Sequence, residues 1–191
     1  MARKLDWIIV VDLEATCWEG DPPPGEEHEI IEIGICTLDI ASGSRSDKQS
    51  ILVRPQRSRV SAFCTKLTTL TQEQVERDGI PFSEAIERLK REYSPSERAW
   101  ASYGDYDRVQ IQKQCEQSGL RYPFGRTHIN VKNLLAVSLN LPYEIGLDAA
   151  VKKLGLPMEG THHRGHDDAW NIAAVLAAIF ERTRRGEQKI E

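Results

Sequence analysis

The 191-residue sequence lacks several features that mark particular classes of protein. It contains no low-complexity linker and no internal repeat, so we expect a single domain over residues 1–191 with a core from about 5 to 185. Its four cysteines lie far apart and form no Cys-x-x-Cys pair. This spacing argues against a disulfide framework and against a cysteine zinc site, and it is typical of reduced thiols.

Excess positive charge is also missing. The formal net charge of -4 excludes a protein that holds nucleic acid mainly by overall positive charge, but it allows one that uses metal ions and a local basic patch. The amino-terminal segment carries Arg3, Lys4 and Asp6 and only a short apolar run, so neither a signal peptide nor a membrane span is expected. We therefore expect a cytoplasmic protein.

Two carboxylates follow an apolar run near the start of the chain. Residues 7–11 are Trp-Ile-Ile-Val-Val, which is typical of a strand buried on both faces, and Asp12 and Glu14 come at its end. Residues two apart on a strand project from the same face. Two buried carboxylates on one face need neutralisation, which a pair of shared divalent cations would supply. The sequence therefore predicts a metal site here.

The hydrophobic periodicity predicts an α/β fold in which strands come first and helices later. Strands are predicted at residues 6–14, 29–38, 51–55 and 98–104, and a further short strand precedes a helix at about 130–140. Other helices are predicted at residues 70–75 with Thr71 as cap, at 81–90 starting at Pro81 or Ser83, at about 107–118, at 148–154 and at 167–184. The Pro-rich segment 18–28 is predicted as a loop, either for substrate or as a solvated connection.

A histidine followed five residues later by an aspartate occurs twice before the last helix, as His162 with Asp167 and as His163 with Asp168. Asp168 begins a stripe of apolar residues at helical spacing, which are Ile172, Val175, Leu176 and Ile179. A carboxylate on a core-facing stripe requires a cation or hydrogen-bond donors. Asp168 is therefore predicted as a metal ligand, with a purely structural buried aspartate as the alternative.

His163 lies in the loop before this helix and is a candidate general base, because a histidine titrates near pH ~6.5. The commoner role of a lone loop histidine is a solvated side chain. His162 and His166 are spaced like a zinc pair, but no further nitrogen or sulfur ligands have suitable spacing. His166-Asp167 also resembles the dipeptide of metal phosphohydrolases, which need additional histidines that this chain does not supply.

A central acidic position lies where the fourth predicted strand passes into a helix. Asp105 is placed as a helix cap, a role that is often purely structural. Asp107 would lie in the first helical turn and project over the strand ends toward Asp12. We favour Asp107 over Asp105 as the metal ligand.

In chain order, Asp12-x-Glu14, Asp107 within Gly-x-x-Asp, and His163 five residues before Asp168 resemble the three motifs of the DEDDh 3′-to-5′ exonucleases. The closest resemblance is to the branch with the histone-mRNA and small-RNA trimming exonucleases and the bacterial sporulation-inhibitor-like exonucleases. The segments that carry it are Asp12–Trp18, Glu29–Gly34, Phe63–Cys64, Leu67–Thr68, His163–Gly165, Asp167–Asp168 and Asn171–Ala173.

The resemblance implies an RNase H-like fold, a mixed five-stranded central sheet flanked by helices. It implies two Mg²⁺ ions, replaceable by Mn²⁺, with ligands Asp12, Glu14, Asp107 and Asp168, and His163 as the base that takes a proton from water. The expected partner is the 3′ end of single-stranded RNA or DNA, with RNA favoured, which the enzyme would shorten to release nucleoside 5′-monophosphates. The resemblance also implies that backbone at Leu13, Ala15 and Thr16 holds the terminal 3′-hydroxyl.

Arg164 is a candidate phosphate contact, as are Arg54, Arg57, Lys66 and Arg126, although a solvated surface charge is the commoner role for each. Thr69 stands where relatives often have glycine, which affects the contacts expected with the terminal base. Two other functions stay open. One is a catalytically silent module that binds RNA ends or a protein, and the other is a nuclease of dinucleotides and very short oligomers. The sequence identifies no protein partner.

Overall fold

Five strands form one mixed sheet at the centre of the computed structural model, which describes residues 4–186. They are β1 (Lys4–Ala15), β2 (Ile30–Asp39), β3 (Arg45–Leu52), β4 (Arg98–Ser102) and β5 (His128–Asn130). The order across the sheet is β3-β2-β1-β4-β5. β2 runs antiparallel to both β1 and β3, whereas β4 runs parallel to both β1 and β5. The predicted mixed five-stranded sheet is confirmed.

Seven helices flank this sheet within the described residues. They are α1 (Ala62–Thr68), α2 (Gln72–Asp78), α3 (Phe82–Tyr93), α4 (Tyr106–Gln117), α5 (Val131–Ser138), α6 (Leu147–Lys153) and α7 (Gly165–Arg185). One core lies between the sheet and α5, α6 and α7, and a second lies between the opposite face and α3 and α4. Within residues 4–186, no helix combines the length and apolarity needed to cross a membrane. The single domain over residues 1–191 stays a prediction.

The alternation along β1 decides which way its acids face. Ile8 and Val10 pack in the core with α7, whereas Ile9, Val11 and Leu13 pack in the core with α3 and α4. Because side chains alternate along a strand, the positions after Val10 on the first face are 12 and 14. Asp12 and Glu14 therefore lie on the side of the sheet that α7 covers.

Helix α7 has the apolar stripe that the sequence predicts. Ile172, Val175, Leu176 and Ile179 are all buried against the sheet, and burial of each such side chain stabilises the fold by about 1.5–3 kcal/mol. The helix begins at Gly165, two residues before the predicted start. Its amino-terminal end lies over β2 and β1, which places the first-turn acids beside the strand acids.

Two elements differ from the prediction. β3 runs from Arg45 to Leu52, whereas a strand at 51–55 was predicted from its apolar residues. β3 lies at the edge of the sheet, and most of its residues are exposed or half-buried. Its sequence therefore lacks the alternation of apolar and polar residues that marks a strand with one buried face. Val53 forms only an isolated bridge to Ile80. Helix α1 is absent from the prediction, because a segment of seven residues is too short for helical periodicity to be recognised.

Two predicted helix starts agree with the structure. The Thr71 hydroxyl oxygen accepts a hydrogen bond from the Gln74 N–H, which confirms Thr71 as the cap of α2. Pro81, and not Ser83, occupies the N-cap of α3. A proline is tolerated there because the first helical N–H groups have no partner within the helix.

Candidate active site

The strand acids lie opposite two very different residues of β2. Asp12 pairs with Gly34 and Glu14 pairs with Glu32 in the antiparallel register. A Cβ added to Gly34 would lie 1.8 Å from the backbone carbon of Gly165, so only glycine allows α7 to approach here. This backbone contact brings the start of α7 onto the sheet beside Asp12.

Asp168 reaches the strand acids from the first turn of α7. One carboxylate oxygen from each of Asp12, Glu14 and Asp168 lies within 4.8 Å of the others. Asp168 is 4 % exposed, and its Oδ2 accepts a hydrogen bond of 2.9 Å from the His163 backbone N–H. Of the two histidine–aspartate pairs in the sequence, the second is thus the one whose aspartate, Asp168, faces the strand acids, as predicted. Asp167 is also buried, but it pairs with Lys48 of β3 and accepts from the Thr161 N–H.

Asp107 lies in the first turn of α4 and is bonded to β1. Its Oδ1 accepts a hydrogen bond of 2.9 Å from the Leu13 backbone N–H, between the two strand acids. Further along the same helix face, the Gln110 amide donates to the His28 carbonyl and the Gln114 carbonyl accepts from the Ile30 N–H. These buried amides fasten α4 to the segment that enters β2, which fixes the position of Asp107.

Asp105 takes a different role from Asp107. It occupies the N-cap position of α4, but its carboxylate makes no capping hydrogen bond. Its oxygens instead accept from Arg108 at 2.9 Å and from the Asn130 amide at 3.3 Å. The predicted side-chain cap at Asp105 is therefore wrong, and of the two residues Asp107 is the one that lines the cleft with the other acids.

Burial and mutual repulsion raise the pKa values of three acids in this cluster. Burial, together with the charges of Asp107, Glu14 and Asp168, raises the pKa of Asp12 well above its ordinary value. Burial and the neighbouring carboxylates raise the pKa of Glu14 to about 9, and burial raises the pKa of Asp107 to about 6. Such acids ionise together only when a cation neutralises them. Oxygen ligands of this kind suit Mg²⁺ and Mn²⁺, so the site fits divalent metal ions.

The predicted base lies at the edge of this acid cluster. His163 adopts a left-handed backbone conformation with φ of +63°, and its ring stacks on that of His162 at 4.0 Å between centroids. Burial and the neighbouring His162 lower the pKa of His163, while Asp168 opposes that change. The ring is therefore neutral at physiological pH and able to accept a proton.

The acids and His163 open into one cleft of about 220 Å³. Sequence reasoning missed four of its lining residues, which are Tyr103, Tyr106, Leu147 and His162. Tyr106 precedes Asp107 directly and is half exposed, and the Tyr103 hydroxyl donates to the Ile145 carbonyl. Nδ1 of His162 lies 3.1 Å from both oxygens of Asp168. The sequence offered two signals for these residues, since Tyr106 directly precedes the central acid and His162 directly precedes the predicted base.

Comparison with known proteins agrees with this arrangement. The chain matches the RNase T family model, described as Exonuclease, over residues 9–176. The chain belongs to this exonuclease family. It is 33% identical over 185 residues to rat 3′-5′ exoribonuclease 1, covering 92% of this chain and 53% of that protein. It is 30% identical over 199 residues to the 3′-5′ exonuclease Snipper of Drosophila melanogaster, covering 93% of this chain and 70% of that protein.

The fold agrees as well. The nuclease domain of 3′hExo, a DEDDh family member solved with bound rAMP, superposes with a TM-score of 0.78 at 30% identity and covers 97% of this chain and 96% of that one. The RNase H-like DEDDh fold is thereby confirmed. The chain spans about half the length of the mammalian exoribonuclease 1 proteins that it matches.

The predicted substrate contacts of this family member have protein partners in the structure. The Leu13 N–H donates to Asp107, and the Thr16 N–H donates to the Glu29 carbonyl at 2.8 Å. The Thr16 hydroxyl bonds the Glu27 carbonyl, and Ala15 is buried beside Cys64 of α1. Contacts of these residues with a 3′-hydroxyl therefore stay predictions.

The basic candidates are also held away from the cleft. Arg164 bonds the buried Glu32 carboxylate, Arg57 pairs with Glu27, and Arg54 donates to the Gly79 carbonyl. Lys66 and Arg126 are exposed, and neither lines the cleft. The zinc pair is not formed, because His162 bonds Asp168 whereas His166 bonds Glu32.

Thr69 caps the carboxyl end of α1. It adopts the left-handed conformation with φ of +65°, and its N–H donates to the Thr65 carbonyl. Its side chain is exposed. The glycine that the resemblance leads us to expect here would suit this left-handed conformation at a helix end.

Proposed function

We propose that this chain is a metal-dependent 3′-to-5′ exonuclease that shortens single-stranded nucleic acid, RNA in preference to DNA, and releases nucleoside 5′-monophosphates. The observation that carries this proposal is the convergence of Asp12, Glu14 and Asp168 within 4.8 Å, with Asp107 and His163 in the same cleft. The similar rat and human proteins are 3′-5′ exoribonucleases, which supports RNA as the substrate.

Exonucleases of the DEDDh type depend on metal ions. Asp12, Glu14, Asp107 and Asp168 would hold two divalent cations, for which we propose Mg²⁺ with Mn²⁺ as a substitute. When bound, such a pair activates the attacking water and stabilises the charge that develops on the phosphate and leaving oxygen. Asp107 accepts the Leu13 N–H through Oδ1, and a carboxylate has further lone pairs that can bind a cation.

The protein groups perform the proton transfer and the positioning. His163 accepts the proton of the attacking water, for which its lowered pKa keeps the ring in the neutral form. The Asp168 carboxylate accepts the His163 N–H and so fixes the backbone of the base. Tyr106 presents a half-exposed ring beside Asp107, where a nucleobase would stack.

A specific observation supports a second candidate, a nuclease of very short oligomers. Among the described residues, the ten that line the cleft include no lysine or arginine. A site without cationic side chains gains little from a long phosphate backbone, since such affinity comes mainly from basic groups. The two candidates share one chemistry and differ in how the rate depends on substrate length.

The test is a gel of the purified full chain on 5′-labelled single-stranded RNA and DNA of several lengths, with Mg²⁺ or EDTA, beside Asp12→Asn. A metal-dependent ladder that shortens from the 3′ end and is lost in Asp12→Asn supports the exonuclease. Cleavage confined to the shortest substrates supports the second candidate. An intact substrate that is still bound with Mg²⁺ present would overturn both and favour a silent binding module.

We also propose a cytoplasmic location. All four cysteines are free, which suits a reducing compartment. Localisation of the tagged full chain by microscopy and fractionation tests this proposal. Finding the tagged chain in the fraction of an oxidising compartment would overturn this proposal.

A further inference from the structure

A fifth carboxylate lies behind the acids of the cleft. Glu32 of β2 has no solvent exposure and stands opposite Glu14 in the β1–β2 register. Its oxygens accept hydrogen bonds from Arg164 Nε at 3.1 Å, the Gly165 N–H at 3.1 Å and the Ser50 hydroxyl at 2.5 Å. Nδ1 of His166 lies 2.8 Å from Oε1. Such a charge within an apolar strand requires several donors.

Three of the four bonded residues are consecutive and lie between His163 and Asp168. Residues 164–166 connect the base to the metal ligand, and Glu32 binds the Arg164 side chain, the Gly165 backbone and the His166 ring. At Gly34 and Gly165 the backbones touch without side chains, so side-chain packing contributes little to holding this turn. The Glu32 carboxylate is therefore the main polar anchor of the turn on the sheet.

We infer that Glu32 is a positioning residue for the reaction: by anchoring residues 164–166, it sets the places of His163 and Asp168 relative to Asp12 and Glu14, and with them cation affinity and turnover. This inference rests on the proposed function. Groups behind metal ligands act in this way in many metal sites, where their loss costs ~10–100-fold in affinity or activity.

The bonds require a carboxylate and not merely a group of the same size. A glutamine has one acceptor oxygen and an amide that donates, so it would place N–H groups against donors of the turn. The Arg164 guanidinium would also lose its buried counter-charge. Glu32→Gln is therefore expected to release the turn while it preserves the volume of the side chain.

The experiment compares the unmodified 191-residue chain with Glu32→Gln and with Glu29→Gln. Glu29 is a matched control on the neighbouring part of the chain, because it is buried and accepts from three backbone N–H groups, of Gln56, Arg57 and Ser58, which lie outside the cleft. The measurements are Mn²⁺ binding by calorimetry without substrate, the melting temperature in EDTA, and kcat and KM on labelled RNA.

For Glu32→Gln we expect Mn²⁺ affinity and kcat each to fall by ~10–100-fold, with KM within about threefold of the wild type. Glu29→Gln is expected to lower the melting temperature in EDTA while Mn²⁺ affinity stays at the wild-type value. Wild-type Mn²⁺ affinity in a folded Glu32→Gln would overturn the inference. Equal losses of Mn²⁺ affinity in both variants would also overturn it, because general destabilisation would then explain them.

Two milder variants keep the inference testable if Glu32→Gln does not fold. His166→Ala and Ser50→Ala each remove one partner of Glu32, and each is expected to weaken Mn²⁺ binding by about threefold. Wild-type Mn²⁺ affinity in both would overturn the inference. Because Mn²⁺ binding is measured without RNA, failure of the wild type to cleave any substrate would count against the proposed function alone.

Discussion

Gly34 of β2 and Gly165 of α7 meet backbone to backbone. A Cβ on Gly34 would lie 1.8 Å from the Gly165 carbonyl carbon and 2.2 Å from the His166 nitrogen. Since Gly34 is the register partner of Asp12, this contact determines how near the first turn of α7 comes to the strand acids. The distance between Asp12 and Asp168 thus depends on the absence of a side chain at both Gly34 and Gly165.

Gly34→Ala is expected to push α7 away from the sheet. Backbone cannot yield as a flexible side chain does, so we expect the free energy of unfolding to fall by about 1–3 kcal/mol and kcat to fall by ~100-fold or more. Urea unfolding and cleavage of labelled RNA measure the two effects. Gly146→Ala is the control, because a Cβ there meets nothing within 4 Å. Wild-type activity in Gly34→Ala would show that α7 need not lie so close.

The acid cluster predicts a pH dependence of stability without metal. The pKa of Glu14 is about 9 in the folded chain and 4.5 in the unfolded chain, so the folded state binds more protons between these values. Stability in EDTA therefore falls as pH rises through this window, by up to about 1.4 kcal/mol per pH unit for each such group. His163 acts in the opposite direction only below about pH 6.5, so the measurement is urea unfolding from about pH 7 to about pH 9.

Divalent cations should abolish this dependence, because they favour the ionised acids in the folded state. With saturating Mg²⁺ we expect higher stability and a flat profile over the same pH range. Asp12→Asn in EDTA should be more stable than the wild type at the upper end, since it removes one repelling charge. A flat wild-type profile in EDTA would contradict the raised pKa values.

His163→Ala tests the proton acceptor. Single-turnover cleavage is expected to slow by ~10²–10⁴-fold, and the rise in rate as the wild-type ring deprotonates should disappear. Mn²⁺ affinity measured by calorimetry should change little, because the His163 contact with Asp168 is made by the backbone N–H, which alanine retains. A wild-type pH–rate profile in this variant would remove His163 from the chemistry.

Thr69→Gly is expected to stabilise the chain. A β-branched residue in the left-handed conformation at the end of α1 is strained, and its exposed side chain gives little in return. We expect the free energy of unfolding to rise by about 1 kcal/mol. Thr69→Ala serves as the comparison, since it keeps a Cβ and should gain less. A loss of stability in Thr69→Gly would mean that the threonine side chain makes a stabilising contact.

The sequence alone determined the features that depend on local periodicity. A period of two on β1 puts Asp12 and Glu14 on one face, and a period of 3.6 on α7 separates Asp168 from Asp167. It also indicated the α/β class and most helix boundaries to within a few residues. These predictions succeed because a buried face imposes its pattern on neighbouring residues of the chain.

Only the tertiary structure decided the features that depend on contacts between distant residues. The bond from Leu13 to Asp107, the Gly34–Gly165 contact and the Glu32 anchor each join segments 90 or more positions apart. Edge strand β3 and short helix α1 likewise form through their neighbours, with little period of their own. Glu32 looked like one more residue of an alternating strand. Most of its hydrogen-bond partners lie at the start of α7. The sequence pattern within β2 does not indicate which donors of that later helix will reach Glu32.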